Sequence, residues 1–294
     1  MSQLRKIKRK DLDVDKYSKA LNDALNYRIY AEHWYLDVLT NEKWECLVFG
    51  DYEVIMPIPL QFKFGFKFVL QPIYCQQLGV FYEKEISDEL FKEFERKLHS
   101  YRVRAYHFNE ENTERYNPEG EKKVNYVLDL NRPYEEIYNS YRKDRKKNLA
   151  KSSILNFTFN KSEDFHYLFK FIDKEYNHLY KFIKGKETLF NVLDEKGHLL
   201  SYSISMNQEM SNIRIFVCSK NRIILIGSAR NKSNKSKSEF SSYLLDSVVQ
   251  EFAETTKLID FEGSNVTGIA DFNRSFGASK VIYKKFSNFN WICK

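Results

Sequence analysis

Six basic side chains crowd one short stretch of this sequence: RKDRKKNLAK carries Arg142, Lys143, Arg145, Lys146, Lys147 and Lys151. Helical spacing makes Arg142, Arg145 and Lys146 neighbours, a row able to hold phosphate or carboxylate oxygens through charge-assisted hydrogen bonds. The alternative is a solvated helix face with Asp144 as its internal partner. A second basic stretch, ARNKSNKSKSEF from Ala229 to Phe240, interleaves Lys232, Lys235 and Lys237 with Ser233, Ser236 and Ser238. These side chains can contact phosphate, but with no glycine among them the backbone N–H groups cannot close tightly on it, which weakens CoA binding and favours a plain loop. In FEGSNVTG, Glu262 ends a strand and is followed by Gly263 and Ser264. A carboxylate there can serve as a general base, with Ser264 lining the space left by the glycine, or either residue can cap the next helix. Gln76 and Gln77 offer amides that could orient a peptide substrate in a cleft, and Arg274 offers a cation for an anionic group or a surface ion pair. Cys75 beside them has no partnered histidine and reads as an inert thiol.

The elements that must position these residues follow from period and punctuation. Tyr17, Leu21, Ala24 and Leu25 recur at helical spacing, and a second helix is expected over 31–39. Strands are expected at 44–49, 53–60 and 67–71, with Pro57 and Pro59 marking an edge or a bulge. A helix over 86–99 presents Leu90, Phe91, Phe94 and Leu98 on one face and leads to a strand at 102–108. The polar run 109–123 reads as a loop, and 124–130 as a strand. After Pro133 the pattern predicts a helix over 134–151, a strand over 154–160 and a helix over 163–179. Strands follow at 189–193, 199–206, 213–219 and 223–229, then a helix over 239–253, a strand at 258–262, a short helix at 267–276 and a last strand at 280–286.

A chain of 294 residues predicts two domains of similar size, and 43% hydrophobic with 16% aromatic residues supplies a large core. No apolar run approaches bilayer length. The basic N-terminal stretch lacks the apolar segment of a signal peptide, so a cytoplasmic location is expected. Cys46, Cys75, Cys218 and Cys293 form no C-x-x-C pair, and the six histidines show no metal-binding spacing, so no metal is expected. The net charge of +7 favours an anionic partner.

Three segments together resemble the FemABX-like branch of the GNAT superfamily: QPIYCQQLGVF at 71–81, YEEIYNSYRKDRKKNLAKS at 134–152 and LIDFEGSNVTGIADFNRSFGASKVIY at 258–283. The resemblance implies an α+β (mixed α/β) chain of tandem GNAT-like domains, each a mostly antiparallel central sheet flanked by helices, here 1–130 and 131–294. It also implies transfer of an aminoacyl or acyl group to an amine, with aminoacyl-tRNA or acyl-CoA as donor and a nucleotide-linked cell-wall precursor among the acceptors. In that chemistry Arg142, Arg145 and Lys146 would hold an anionic donor or acceptor, and Glu262 would assist deprotonation of the amine. Many GNAT enzymes place a proton-donating tyrosine where this chain has Asn273, which removes the usual acid for a thiolate leaving group. Two other readings stand beside aminoacyl transfer: an acyl-CoA-dependent N-acetyltransferase acting on a small amine, and a non-catalytic GNAT-like module that binds RNA or protein.

Overall fold

The computed structural model describes residues 3–63, 65–161, 168, 170–171, 174, 186–231, 238–263 and 267–289. The chain divides into two units, Met1–Val124 with Ile282–Lys294, and Asn125–Val281. The expected boundary at 130/131 lies a few residues later and leaves out the return of the C-terminal strand to the first unit.

Unit 1 contains β1 (Arg5–Lys8), α1 (Val14–Asp23), α2 (His33–Thr40), β2 (Trp44–Phe49), β3 (Val54–Lys63), β4 (Phe66–Leu70), β5 (Phe81–Tyr82), α3 (Asp88–His99), β6 (Val103–Phe108) and α4 (Glu110–Tyr116). Strands β1 to β4 form an antiparallel meander, and β6 then pairs parallel to β4. That parallel step needs a crossover, which α3 supplies. Its Phe91, Phe94 and Leu98 are fully buried at the spacing the sequence predicts. At Pro57 and Pro59, β3 has β2 as its strand partner on one side only. The Leu60 N–H points to Lys43 on the β2 side, so the odd-numbered prolines face away and remove no ladder bond.

Two further strands link the units along the chain: β7 (Glu121–Asp129) leads out of unit 1, and β13 (Ser279–Phe286) leads back. Unit 2 contains α5 (Tyr134–Asn139), α6 (Lys143–Ser152), β8 (Thr158–Lys161), α7 (Lys186–Glu195), β9 (Leu199–Met206), β10 (Glu209–Cys218), β11 (Arg222–Arg230), α8 (Ser238–Phe252), β12 (Leu258–Asp260) and α9 (Thr267–Arg274). Its sheet runs β7-β12-β11-β10-β9-β8, antiparallel except for the β11–β12 pair that α8 bridges. Phe240, Leu244 and Val248 seat α8 in the core, and α6 packs beside it.

The units share one plan: an antiparallel meander, a helical crossover to a parallel strand, then an antiparallel strand on the far side. Each takes that closing strand from the other end of its sequence. Residues of β13 pair with β6 in unit 1, and residues of β7 pair with β12 in unit 2.

Four elements differ from expectation. Residues 189–193 are helical, because Leu189, Phe190 and Leu193 bury one helical stripe of α7. The polar run 109–123 contains α4, whose N–H groups are satisfied by the Asn109 side chain accepting from Asn112, and whose end is turned by Asn117 at φ 48°. The helix expected over 134–151 is broken at Ser140–Arg142 into α5 and α6. The helix expected over 163–179 lies outside the described residues except at 168, 170, 171 and 174, which are helical.

Candidate active site

In unit 2 the two parallel strands part company early. β11 pairs with β12 only through Arg222, Ile223 and Ile224, then continues to Arg230. The far edge of β12 continues along β7, where the Phe261 N–H donates to the Tyr126 carbonyl (3.1 Å). Among the described residues no backbone hydrogen bond joins the two strands beyond Ile224 and Asp260. A register shift between Ile215 and Phe216 bends β10 and β11 at the same level. The two strands thus open a slot between β11 and the end of β12, whose N–H groups at 261–263 are turned to Tyr126, Asp260 and Asn125.

The equivalent place in unit 1 is filled by the chain itself. Past β4, the Gln71 N–H donates to Ala105 (2.8 Å), the Leu78 N–H to His107 (2.9 Å) and the Asn109 N–H to Leu78 (2.8 Å). His107 is held there through Nδ1 and the Gln76 carbonyl (2.8 Å), and burial lowers its pKa to about 4. A histidine kept neutral in the fold but free to protonate when unfolded makes stability fall as pH drops below its ordinary 6.5 toward 4. The expected loss over that window is roughly 2–3 kcal/mol, and urea unfolding of His107→Gln should show a flatter pH profile.

The mouth of the unit 2 slot is a clamped turn. Asp260 is buried against Arg222 (2.9 Å) and accepts from the Asn125 amide (2.8 Å) and the Glu262 N–H (2.9 Å). Asn125 Oδ1 in turn accepts from the Gly263 N–H (2.5 Å). Glu262 and Gly263 both take positive φ, 53° and 73°. That conformation suits glycine and strains glutamate, the pattern of a residue held for its side chain. Glu262→Gly is therefore expected to raise stability by about 1 kcal/mol while abolishing any proton transfer that Glu262 performs, to be measured by thermal unfolding beside an activity assay.

At the level where the strands have parted, two arginines are buried together. Arg214 of β10 lies opposite Ser228 of β11, four residues beyond the last residue that pairs with β12. Its guanidinium lies 5.1 Å from the Phe272 ring centre, and that of Arg145 lies 4.5 Å from the same ring. Each residue is only 6% exposed. Arg145 donates to Ser242 (2.5 Å) and Ser275 (3.0 Å), and Arg214 makes long contacts to the Ser241 carbonyl at 3.3 and 3.4 Å. Among the described residues neither forms an ion pair. Burial, reinforced by the charge of Arg145, lowers the Arg214 pKa to about 10. Asp144 and Asp271 offset part of the Arg145 charge from a distance, but two like charges buried with no direct ion pair are costly unless an anion joins them.

No protein-family model and no curated protein matches the sequence. Among solved structures the chain is similar to FemX, with a TM-score of 0.65, 8% identity, and coverage of 96% of this chain and 97% of that one. A C-terminal domain assigned to a lysylphosphatidylglycerol synthetase of Agrobacterium fabrum gives 0.61 at 8% identity, covering 95% and 92%. A tandem GNAT protein from the clavulanic acid biosynthesis pathway gives 0.53 at 8% identity, covering 98% of both chains. This chain has a tandem GNAT fold. The expected class is thus the observed one, mixed α/β with mostly antiparallel sheets.

Within this fold the predicted site residues fall in several places. Arg142, Arg145 and Lys146 do not form one solvent-facing row. Arg142 is exposed and gripped by Asp144 (2.7 Å) and Asp271 (2.9 Å), holding the Asp144 pKa down at about 2. Lys146 is outside, with Nζ donating to the Asn139 carbonyl (3.1 Å), whereas Arg145 turns inward. Arg274 is exposed near Asp271 (3.6 Å). Gln77 is buried, donating to Gln76 (3.0 Å) and accepting from the Glu110 N–H (3.0 Å), so both glutamines are used at the start of α4. Ser264, Lys232, Lys235 and Lys237 lie outside the described residues. Asn273 is buried on α9, and its Nδ2 has no acceptor among the described residues, leaving a spare neutral donor inside the unit. No group of histidine, cysteine or carboxylate residues suited to a metal occurs among the described residues, and no described helix is long and apolar enough to cross a membrane.

Proposed function

We propose that this cytoplasmic chain transfers an acyl or aminoacyl group to an amine, with unit 2 as the reacting half. The observation that carries this reading is the buried Arg145–Arg214 pair, in no ion pair among the described residues, beside the open slot between β11 and β12. The arginines bind an anionic group of the donor or acceptor, such as a phosphate of tRNA or of a nucleotide-linked precursor. The β11 edge beyond Ile224 takes the amide groups of the transferred or accepting chain. The amine nitrogen attacks the donor carbonyl, a C–N bond forms and the ester C–O bond breaks. The amine proton passes to Glu262, and water protonates the departing ribose oxygen, which needs no tyrosine at position 273. The similarity to FemX and to a synthetase domain named for lysylphosphatidylglycerol supports the aminoacyl branch at the level of fold.

A thermal-shift screen of charged tRNA, nucleotide-linked cell-wall precursors and CoA identifies the ligand, since binding to the folded state raises Tm. With that donor, Glu262→Gln is expected to lower turnover about 100-fold with little change in KM. Unchanged turnover removes Glu262 from the mechanism. Tight calorimetric binding of CoA moves the reading to acyl-CoA-dependent transfer.

A further inference from the structure

Unit 1 carries a second anion-attracting feature at the other end of its parallel strand pair. A cavity of about 400 Å³ is lined by Lys6, Phe66, Lys67, Lys97, Tyr101 and Arg102, with Gly65 and Ser100 at its edge. It sits at the starts of β4 and β6, whereas the segment after Gln71 fills the end where those strands part. Its chemistry is therefore separate from the slot of unit 2.

The lining has more positive charge than its own carboxylate can balance. Lys67 pairs with the buried Glu45 (2.7 Å), whose other oxygen accepts from the Tyr101 hydroxyl. Lys6, Lys97 and Arg102 have no ion pair among the described residues. The cations also come arranged on rings. Lys6 and Lys67 lie 5.9 and 5.4 Å from the centre of Tyr101, and Arg102 lies 4.7 Å from the centre of Phe66, an exposed ring at 47%. An arginine over an aromatic ring offers a cationic surface against which a nucleobase can stack. Lys6, Lys97 and Arg102 supply positive charge for phosphates in the same cavity. A membrane surface fits less well, because the cations surround a hollow and Arg102 covers the ring that would have to insert.

We propose that this cavity binds single-stranded RNA, taking phosphates on Lys6, Lys97 and Arg102 and stacking one base on the Arg102–Phe66 pair. The inference stands apart from the transferase reading. The test is fluorescence anisotropy of the full chain with a labelled single-stranded RNA of about eight nucleotides across a salt series. Three phosphate contacts predict a slope of about −2 in log K against log salt, from about −0.7 per contact. Lys97→Glu and Arg102→Glu, both on exposed side chains, should each weaken binding at least about tenfold with an unchanged urea midpoint, whereas Lys84→Glu, an exposed charge reversal outside the cavity lining, should leave it unchanged. If Arg102→Glu shifts the midpoint, Lys97→Glu alone decides. No RNA binding, binding indifferent to these charge reversals, equal affinity for inorganic polyphosphate, or binding to phosphatidylglycerol vesicles in place of RNA each overturns the proposal. The charge reversals of Lys97 and Arg102 touch only unit 1 and leave the arginine pair of unit 2 intact, so loss of one reading does not entail loss of the other.

Discussion

Asp260→Ala is expected to lower the stability of the chain by roughly 3–5 kcal/mol, the range for breaking a buried ion pair on one side. Asp260 and Arg222 are 1% exposed each, so the arginine left behind loses its paired carboxylate in a place shielded from solvent. The same carboxylate accepts from Asn125 and from the Glu262 N–H, so its removal also frees the strained turn at 262 and 263. Urea unfolding should show the midpoint fall with the m-value unchanged, as a loss of native interactions alone requires. Asp260→Asn should cost less, since it keeps an acceptor for the turn while losing the charge. A variant of Asp260→Ala stability within 1 kcal/mol of the parent, roughly the noise of a surface substitution, would show that water reaches Arg222.

This pair also marks what a sequence can and cannot reveal here. Glu262 was legible because a strand, an acidic residue and a glycine follow one another, which is a local pattern. The clamp that holds it was not, because Asp260, Arg222 and Asn125 are far apart in the chain and meet only through β7, β11 and β12. Arg145 stood out within a basic run, but helical spacing alone could not show that it faces inward while Arg142 and Lys146 face out. Arg214 was missed altogether. In NIRIFVC it looks like the outward residue of an alternating strand, yet β10 is buried from Met210 through Val217, on both faces. A central strand flanked by apolar strands, with an arginine in its middle, was the available signal. The α4 and α7 misreadings share a cause: a short polar helix held by Asn caps, and a short apolar one held by packing, lack the long period on which helix prediction depends.

Arg214→Met is the substitution that separates a ligand-binding charge from a structural one. If the buried arginines served only to hold unit 2 together, removing one would leave Ser241 and Phe272 short of a partner and destabilise the fold. The geometry argues otherwise. Arg214 makes only long contacts to a single carbonyl, has no ion pair among the described residues, and lies close enough to Arg145 for that charge to lower its pKa. Methionine fills a similar volume, keeps contact with the Phe272 ring and removes one buried charge. Stability at neutral pH is therefore expected to stay level or rise, since replacing a buried charge by a packed apolar side chain is often neutral or stabilising. Binding of the anionic ligand found by thermal shift should weaken by about 100- to 1,000-fold, equivalent to roughly 3–4 kcal/mol. Arg214→Lys should recover only part of this, because an ammonium keeps the charge but not the planar fork that grips two oxygens. Lower stability combined with intact ligand binding would assign the arginine pair to the core and leave the slot between β11 and β12 without its anion-binding wall.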